Sequence, residues 1–264
     1  MNKFKHYRSH IQSFELNIAN KGLPDAFKIE DLSSGPIETY YSCFEYINPT
    51  ARIVLCGITP GMQQATNAIL AAKNAIETGL SDLDVVKAAK EFASFSGSMR
   101  NNLIDMLDFV GINKVIDIQS CKSLFGEDKH LVHYTSALRY PVFVNGANYS
   151  GTPNMLKTPC LRYQIETFLA QEVRELGNDC IYVPLGPKVT EALQYLQSRG
   201  LLLSEQIIAG LPHPSGANAE RINYFMGKKA REQLSEKTNA TVLDNAREEI
   251  LAKVEALRIK AGNR

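Results

Sequence analysis

Two short stretches hold residue types and spacings that could do chemistry. The first is Gly57-Ile58-Thr59-Pro60-Gly61, directly after the apolar run Arg52-Ile53-Val54-Leu55-Cys56. A β-branched run, a Gly/Pro turn and a helical pattern beyond it predict strand, tight turn and helix. In a parallel α/β sheet, ligands bind where strand carboxyl ends meet helix amino ends, so this turn is the first place to expect a site. The second stretch is Leu211-Pro212-His213-Pro214-Ser215-Gly216-Ala217-Asn218. His213 stands between two prolines in a loop after an apolar run, where an imidazole is placed to donate or accept a proton near neutral pH. A third pattern, His130-Leu131-Val132-His133, has metal-binding residue types but no third ligand in sight, so no metal site is expected.

With two further pieces these stretches resemble, in order, the uracil-DNA glycosylase superfamily over roughly residues 50–230. Gly57 to Gly61 is similar to the Gly-x-Asn-Pro-Gly motif of the mismatch-specific and single-strand-selective branches. Phe95-Ser96-Gly97 is similar to the loop whose aromatic ring stacks on the extruded base. Thr135-Ser136-Ala137-Leu138-Arg139 sits where members carry a strand ending in Thr-Asn, and His213-Pro214-Ser215-Gly216 blends two versions of the family's second motif.

What the resemblance implies is a DNA glycosylase with DNA, single- or double-stranded, as partner and no cofactor. Such an enzyme extrudes a nucleotide, holds its base in a snug pocket and breaks the N-glycosidic bond, leaving positive charge on the sugar and negative charge on the base. By resemblance Phe95 stacks on the base and His213 donates to its oxygen. Gly57, Ile58, Pro60, Gly61 and Ser136 line the base pocket, with backbone amides around Ile58 and Thr59 facing it. Ser215, Gly216, Ala217 and Asn218 press on the DNA backbone or the gap left by the base. Arg139 and Arg221, with Lys157 and Arg162, flank the cleft and could meet phosphates.

The chain departs from the family pattern at three of these positions. Thr59 stands where relatives carry the Asn or Asp that handles water; a hydroxyl can orient water but is no base near neutral pH. Ser136 replaces the Asn that reads both polar edges of uracil, and a single rotatable hydroxyl cannot repeat that readout. Ala217 stands where a bulky wedge is expected. Only Cys160 matches a ligand of the iron–sulfur branch, so no cluster is expected. These departures keep two other readings in view: a catalytically inactive nucleic-acid or nucleobase-binding module, and a hydrolase of small nucleosides.

The elements that must position these residues follow from the rest of the chain. Its 264 residues, 44% hydrophobic, can bury a sizeable core, and 29 basic against 28 acidic residues leave a net charge of +1. That balance excludes a globally basic nucleic-acid binder, though not one with a local basic groove. Five scattered cysteines suit neither a disulfide framework nor a zinc cluster. The amino terminus lacks the apolar core of a signal peptide and no apolar run could span a bilayer, so a cytoplasmic protein without a membrane partner is expected.

Strand-like runs at 52–58, 131–138, 180–186 and 206–211, alternating with helical patterns, predict a three-layer α/β/α fold with a central four-stranded, mainly parallel sheet. A helical lead-in is expected over 1–50, with helix-like stretches near 7–19 and 36–47. The α/β domain is expected over 51–235, its residues 141–159 forming a long loop. A terminal amphipathic helix is expected over 236–264. There Leu243, Ile250, Val254 and Leu257 form a narrow apolar seam, read as docking on its own domain in preference to a homodimeric coiled coil, because fewer than three or four heptads are present.

Overall fold

The computed structural model describes residues 2–16, 22–94 and 98–262. In chain order it forms α1 (Asn2–Gln12), β1 (Ile37–Thr39), β2 (Ile53–Gly57), α2 (Met62–Glu77), α3 (Asp82–Ala93), α4 (Ser98–Phe109) and α5 (Ile112–Val115). Then come β3 (Val132–Ser136), β4 (Val142–Val144), β5 (Ala147–Asn148), α6 (Pro159–Gln164) and, after a π-helical stretch, α7 (Ala170–Leu176). The chain ends with β6 (Ile181–Pro184), α8 (Pro187–Ser198), α9 (Ala219–Phe225) and α10 (Ala240–Gly262). The fold is thus of mixed α/β character. It divides into two compact units, one of Met1–Ile47, Gly57–Ser94 and Tyr134–Glu175, the other of Asn48–Cys56, Phe95–His133 and Leu176–Arg264.

In the first unit α2 buries Ala65, Ala68, Ile69, Ala72, Ala75 and Ile76, a face at helical spacing whose small side chains let α3 approach with Val85, Val86 and Ala89. Ser81 caps α3 by accepting the Asp84 N–H at 3.3 Å. From α1, Phe4, Tyr7 and Ile11 enter the same core, and Tyr7 stacks on Tyr41 with centroids 4.2 Å apart. The stretch 36–47, expected to be helical, instead begins as β1, because Ile37 and Thr39 alternate inward with Glu38 between them. β1 pairs antiparallel with β4, and β4 with β5, in a second sheet. The expected long loop at 141–159 therefore contains a hairpin, turned by Asn145 and Gly146, both at positive φ.

The predicted parallel sheet is reduced. β2 is the centre of a three-stranded sheet in the order β3-β2-β6, with β2 and β6 parallel and Ile53 opposite Ile181. The fourth strand, expected at 206–211, survives only as a bridge between Tyr182 and Ile207 and one bond from Ile208 N–H to the Tyr182 carbonyl at 2.8 Å. Gly210, at φ +115°, turns the backbone out of the extended region. A Cβ there would lie 3.1 Å from the Ala246 Cβ, so Gly210 also makes room for α10. Asn239 caps α10 through the Val242 N–H at 3.2 Å. Ile250 and Val254 of the seam are buried within the second unit, and Val254 reaches Gly111. That burial occupies the seam, so it does not support a homodimer through this helix. Among the described residues, no helix is long and apolar enough to cross a membrane.

Candidate functional site

In the first unit the end of β2 lies against the end of β3. The Gly57 carbonyl accepts from Ala137 N–H at 2.8 Å and the Ile58 carbonyl from Leu138 N–H at 3.0 Å. A Cβ built on Gly57 would lie 3.5 Å from the Ser136 Oγ, and one on Gly61 would lie 3.6 Å from the Asn148 amide. Both are ordinary contacts, and neither glycine has positive φ, so the fold itself does not require glycine at either position. What their bareness provides is open backbone, the condition for close approach by a ligand. The N–H groups of Ile58 and Thr59 meet no acceptor among the described residues. Asn148 Oδ1 accepts the Met62 N–H at 3.0 Å, closing one of the free donors at the start of α2.

Thr59 faces its own fold. Its hydroxyl donates to the Tyr140 carbonyl at 3.1 Å and accepts from Val142 N–H at 3.1 Å, stapling the turn to the start of β4. The proton is committed, and one lone pair is left for a water.

Beneath the 135–139 stretch is a buried polar network. Arg139 Nε donates to Glu172 at 2.7 Å, its Nη2 to the Phe168 carbonyl at 3.0 Å, and its guanidinium lies over the Phe168 ring. The Thr135 hydroxyl donates to the other Glu172 oxygen at 2.5 Å. Burial works against the charge of Arg139, but Glu172, together with Tyr140 and Glu45, outweighs it and keeps the guanidinium protonated. At 6% exposure, Arg139 is no surface contact for phosphate; the expectation fails because an arginine number says nothing about the carboxylate waiting 33 residues away. Nearby in the same unit, both carboxylate oxygens of Glu45 are shielded and make no hydrogen bond. Burial pushes that carboxyl up from its ordinary value, against the opposing pull of Tyr41 and Arg139.

In the second unit the His213 loop is bonded to itself. Ser215 N–H donates to His213 Nδ1 at 3.3 Å, Asn218 Nδ2 to the Ser215 Oγ at 3.3 Å, and Arg221 Nη1 to Asn218 Oδ1 at 2.7 Å. Asn102 from α4 anchors the loop by donating to the Pro214 carbonyl at 2.8 Å. The ring is half-buried beside Gly186, whose φ of +112° sets the turn from β6 into α8. Burial pulls the His213 pKa down from 6.5, favouring the neutral ring. With Nδ1 accepting, a neutral ring carries its proton on Nε2, as a hydrogen-bond donor. Gly216 and Ala217 are exposed in a 3-10 turn, and Arg221 is exposed but already paired with Asn218 and the Lys237 carbonyl.

Comparison with known proteins turns up one relative of substantial likeness. The chain is 33% identical over 234 residues to the uncharacterized protein YoxB of Bacillus subtilis (strain 168), covering 85% of this chain and 91% of that protein. The chain belongs to the YoxB family. No family model matches it, and no solved structure matches it.

In this YoxB-family chain, then, the fold brings Gly57, Ile58, Thr59, Pro60, Gly61 and Ser136 together within one unit. His213, Ser215, Asn218 and Arg221 gather within the other. Phe95, expected to stack on a base, lies outside the described residues. Cys160 is half-exposed and the other four cysteines are buried, all five free thiols. His133 is buried, its Nδ1 accepting the Asn48 N–H at 3.3 Å. Three residues at these sites escape sequence reasoning: Asn148, Gly186 and Glu172. Asn145-Gly146 signals the hairpin that carries Asn148, and Gly186-Pro187 signals the turn beside His213. Nothing local marks Glu172.

Proposed function

We propose that this YoxB-family protein is a DNA glycosylase-like enzyme that binds a base flipped from a DNA strand and hydrolyses its N-glycosidic bond. The observation that carries this reading is the state of His213. A neutral imidazole with its Nδ1 occupied by Ser215 N–H presents an Nε2–H donor. As the C–N bond breaks, its electron pair leaves with the base, and a donor to the base oxygen stabilises the resulting anion. Water then attacks the sugar carbon and loses its proton to solvent.

A second reading, binding of a base without cleavage, is favoured by Thr59, whose proton is tied to the Tyr140 carbonyl. Oligonucleotides carrying uracil, hypoxanthine, mismatches or modified pyrimidines, single-stranded and duplex, decide between them. Alkali-labile strand breaks and free base from at least one substrate, lost in His213→Ala, are expected for the enzyme. Release from none of them sinks the catalytic reading. Binding without release, with cleavage gained in Thr59→Asn, would establish the second.

A further inference from the structure

At the other end of β6 from the His213 loop, the second unit holds a cavity of about 230 Å³. It lies between the starts of β2 and β6, the turn at 203–206 and the last turns of α10. Its walls are tied to one another. Gln206, 3% exposed, donates to the Cys180 carbonyl at 2.9 Å and accepts the Leu203 N–H at 2.9 Å. From α10 the Lys253 ammonium reaches the Ile207 carbonyl at 3.1 Å. Arg52, just before β2, donates from Nη1 and Nη2 to the Ile116 and Val115 carbonyls at 3.0 and 3.2 Å, which fixes its guanidinium at the cavity. A ligand would therefore meet a site already formed.

The lining is apolar and the rim carries both signs of charge. Val115, Ile181, Leu203 and Leu257 supply the aliphatic wall, and Leu203 is left 48% exposed. On the rim, Arg52 bonds only to carbonyls and keeps three of its five N–H groups. Lys260 and Glu205 have no ionic partner among the described residues, and Asp179 adds a second carboxylate. We propose that this cavity binds a free α-amino acid with an apolar side chain. Its carboxylate would lie at Arg52 and Lys260, its ammonium at Glu205 and its side chain on the aliphatic wall. A two-signed rim selects a zwitterion, because a bare carboxylate meets Glu205 and Asp179 and a bare amine meets Arg52 and Lys260. The volume is below the range of about 300–1,000 Å³ typical of drug-sized ligands, so the occupant is small. No aromatic ring stands among the described lining residues, so a nucleobase finds no stacking partner. The Cys180 thiol donates to the Ala51 carbonyl at 2.8 Å, and burial, with Asp179 beside it, lifts its pKa to about 11. It is thus neither a thiolate for a metal nor a nucleophile.

The test is isothermal titration calorimetry of the full chain with L-leucine and with its two half-molecules, isocaproate and isoamylamine, while amide NMR signals map the site. L-Leucine is expected to bind more tightly than either half-molecule and to shift the amide signals of Val115, Ile181 and Leu203. Arg52→Gln is expected to weaken L-leucine about 10-fold or more, and Glu205→Gln and Lys260→Gln about 5-fold each. Because Arg52 also holds two backbone carbonyls, Glu205→Gln is the deciding variant: it should weaken L-leucine and not isocaproate. No heat and no signal shift with L-leucine up to its solubility overturn the proposal. Isocaproate binding as tightly as L-leucine, with no effect of Glu205→Gln, overturns it too, as a simple carboxylate site. Signal shifts confined to residues outside the cavity do the same.

Discussion

The turn at Gly57–Gly61 and the loop at His213–Asn218 solve opposite problems. In the turn the side chain is tied inward and the backbone is open: the Thr59 hydroxyl staples β4, while the N–H groups of Ile58 and Thr59 meet no acceptor among the described residues. In the loop the backbone and neighbouring side chains satisfy one another, and the imidazole is left to donate from Nε2. The difference reaches below the surface. The turn sits over a unit that buries an ion pair, Arg139 with Glu172, whereas the loop's arginine is exposed. Polar groups of the first kind are set by the fold and tolerate little change beneath them. Those of the second kind can be exchanged with little effect on folding.

The sharpest break is beneath the turn. Arg139→Gln leaves Glu172 buried without its cation, and a loss of about 3–5 kcal/mol is expected, read from urea unfolding. Next is the loop. His213→Ala is expected to lower base release about 10²–10³-fold while leaving the melting temperature nearly unchanged. Because burial holds the His213 pKa below 6.5, the wild-type rate should stay flat through neutral pH and fall only on the acid side of 6.5, where the ring gains a proton. A rate that already falls between pH 8 and pH 7 would contradict a neutral donor.

Thr59→Val keeps the shape of the side chain but orphans the Tyr140 carbonyl and the Val142 N–H. A loss of about 1–3 kcal/mol is expected, and a variant as stable as the wild type would show that the staple is not structural. Glu45→Gln tests the buried carboxyl. Its raised folded pKa means the native state keeps a proton that the unfolded chain has lost. Wild-type stability should therefore fall as pH rises from about 4.5 through the folded pKa, by at most about 1.4 kcal/mol per pH unit. The glutamine variant lacks this slope, so its advantage should grow with pH and then level off. The smallest effect on stability belongs to Gly57→Ala, expected to stabilise by about 0.4–1 kcal/mol because its φ is ordinary. Its methyl would stand toward Ser136 Oγ, so a fall in base release without a fall in stability would show that the bare backbone serves a ligand.

Much of the local structure was legible. The strand over 53–57 follows from its β-branched run and the Gly/Pro turn after it. The hairpin at 142–148 carried its signal, Asn-Gly between short strands, yet its Gly- and Pro-rich flanks read as a loop. The missing fourth strand had the right composition, and only the turn at Gly210, placed under α10, ends it after a single bridge.

By itself, the sequence determined the ends of β2 and β6, the turns that follow them and the residue types offered there, because hydrophobic period and Gly/Pro punctuation act over a few neighbours. Only the tertiary structure decided what those side chains do. Thr59 became a staple because β4 passes within hydrogen-bond reach, Arg139 an interior cation because α7 supplies Glu172, and His213 an Nε2 donor because the loop folds Ser215 N–H onto Nδ1. Each outcome depends on a polar partner reaching a distance near 3 Å, and spacing along a chain does not report that distance when the partners lie far apart.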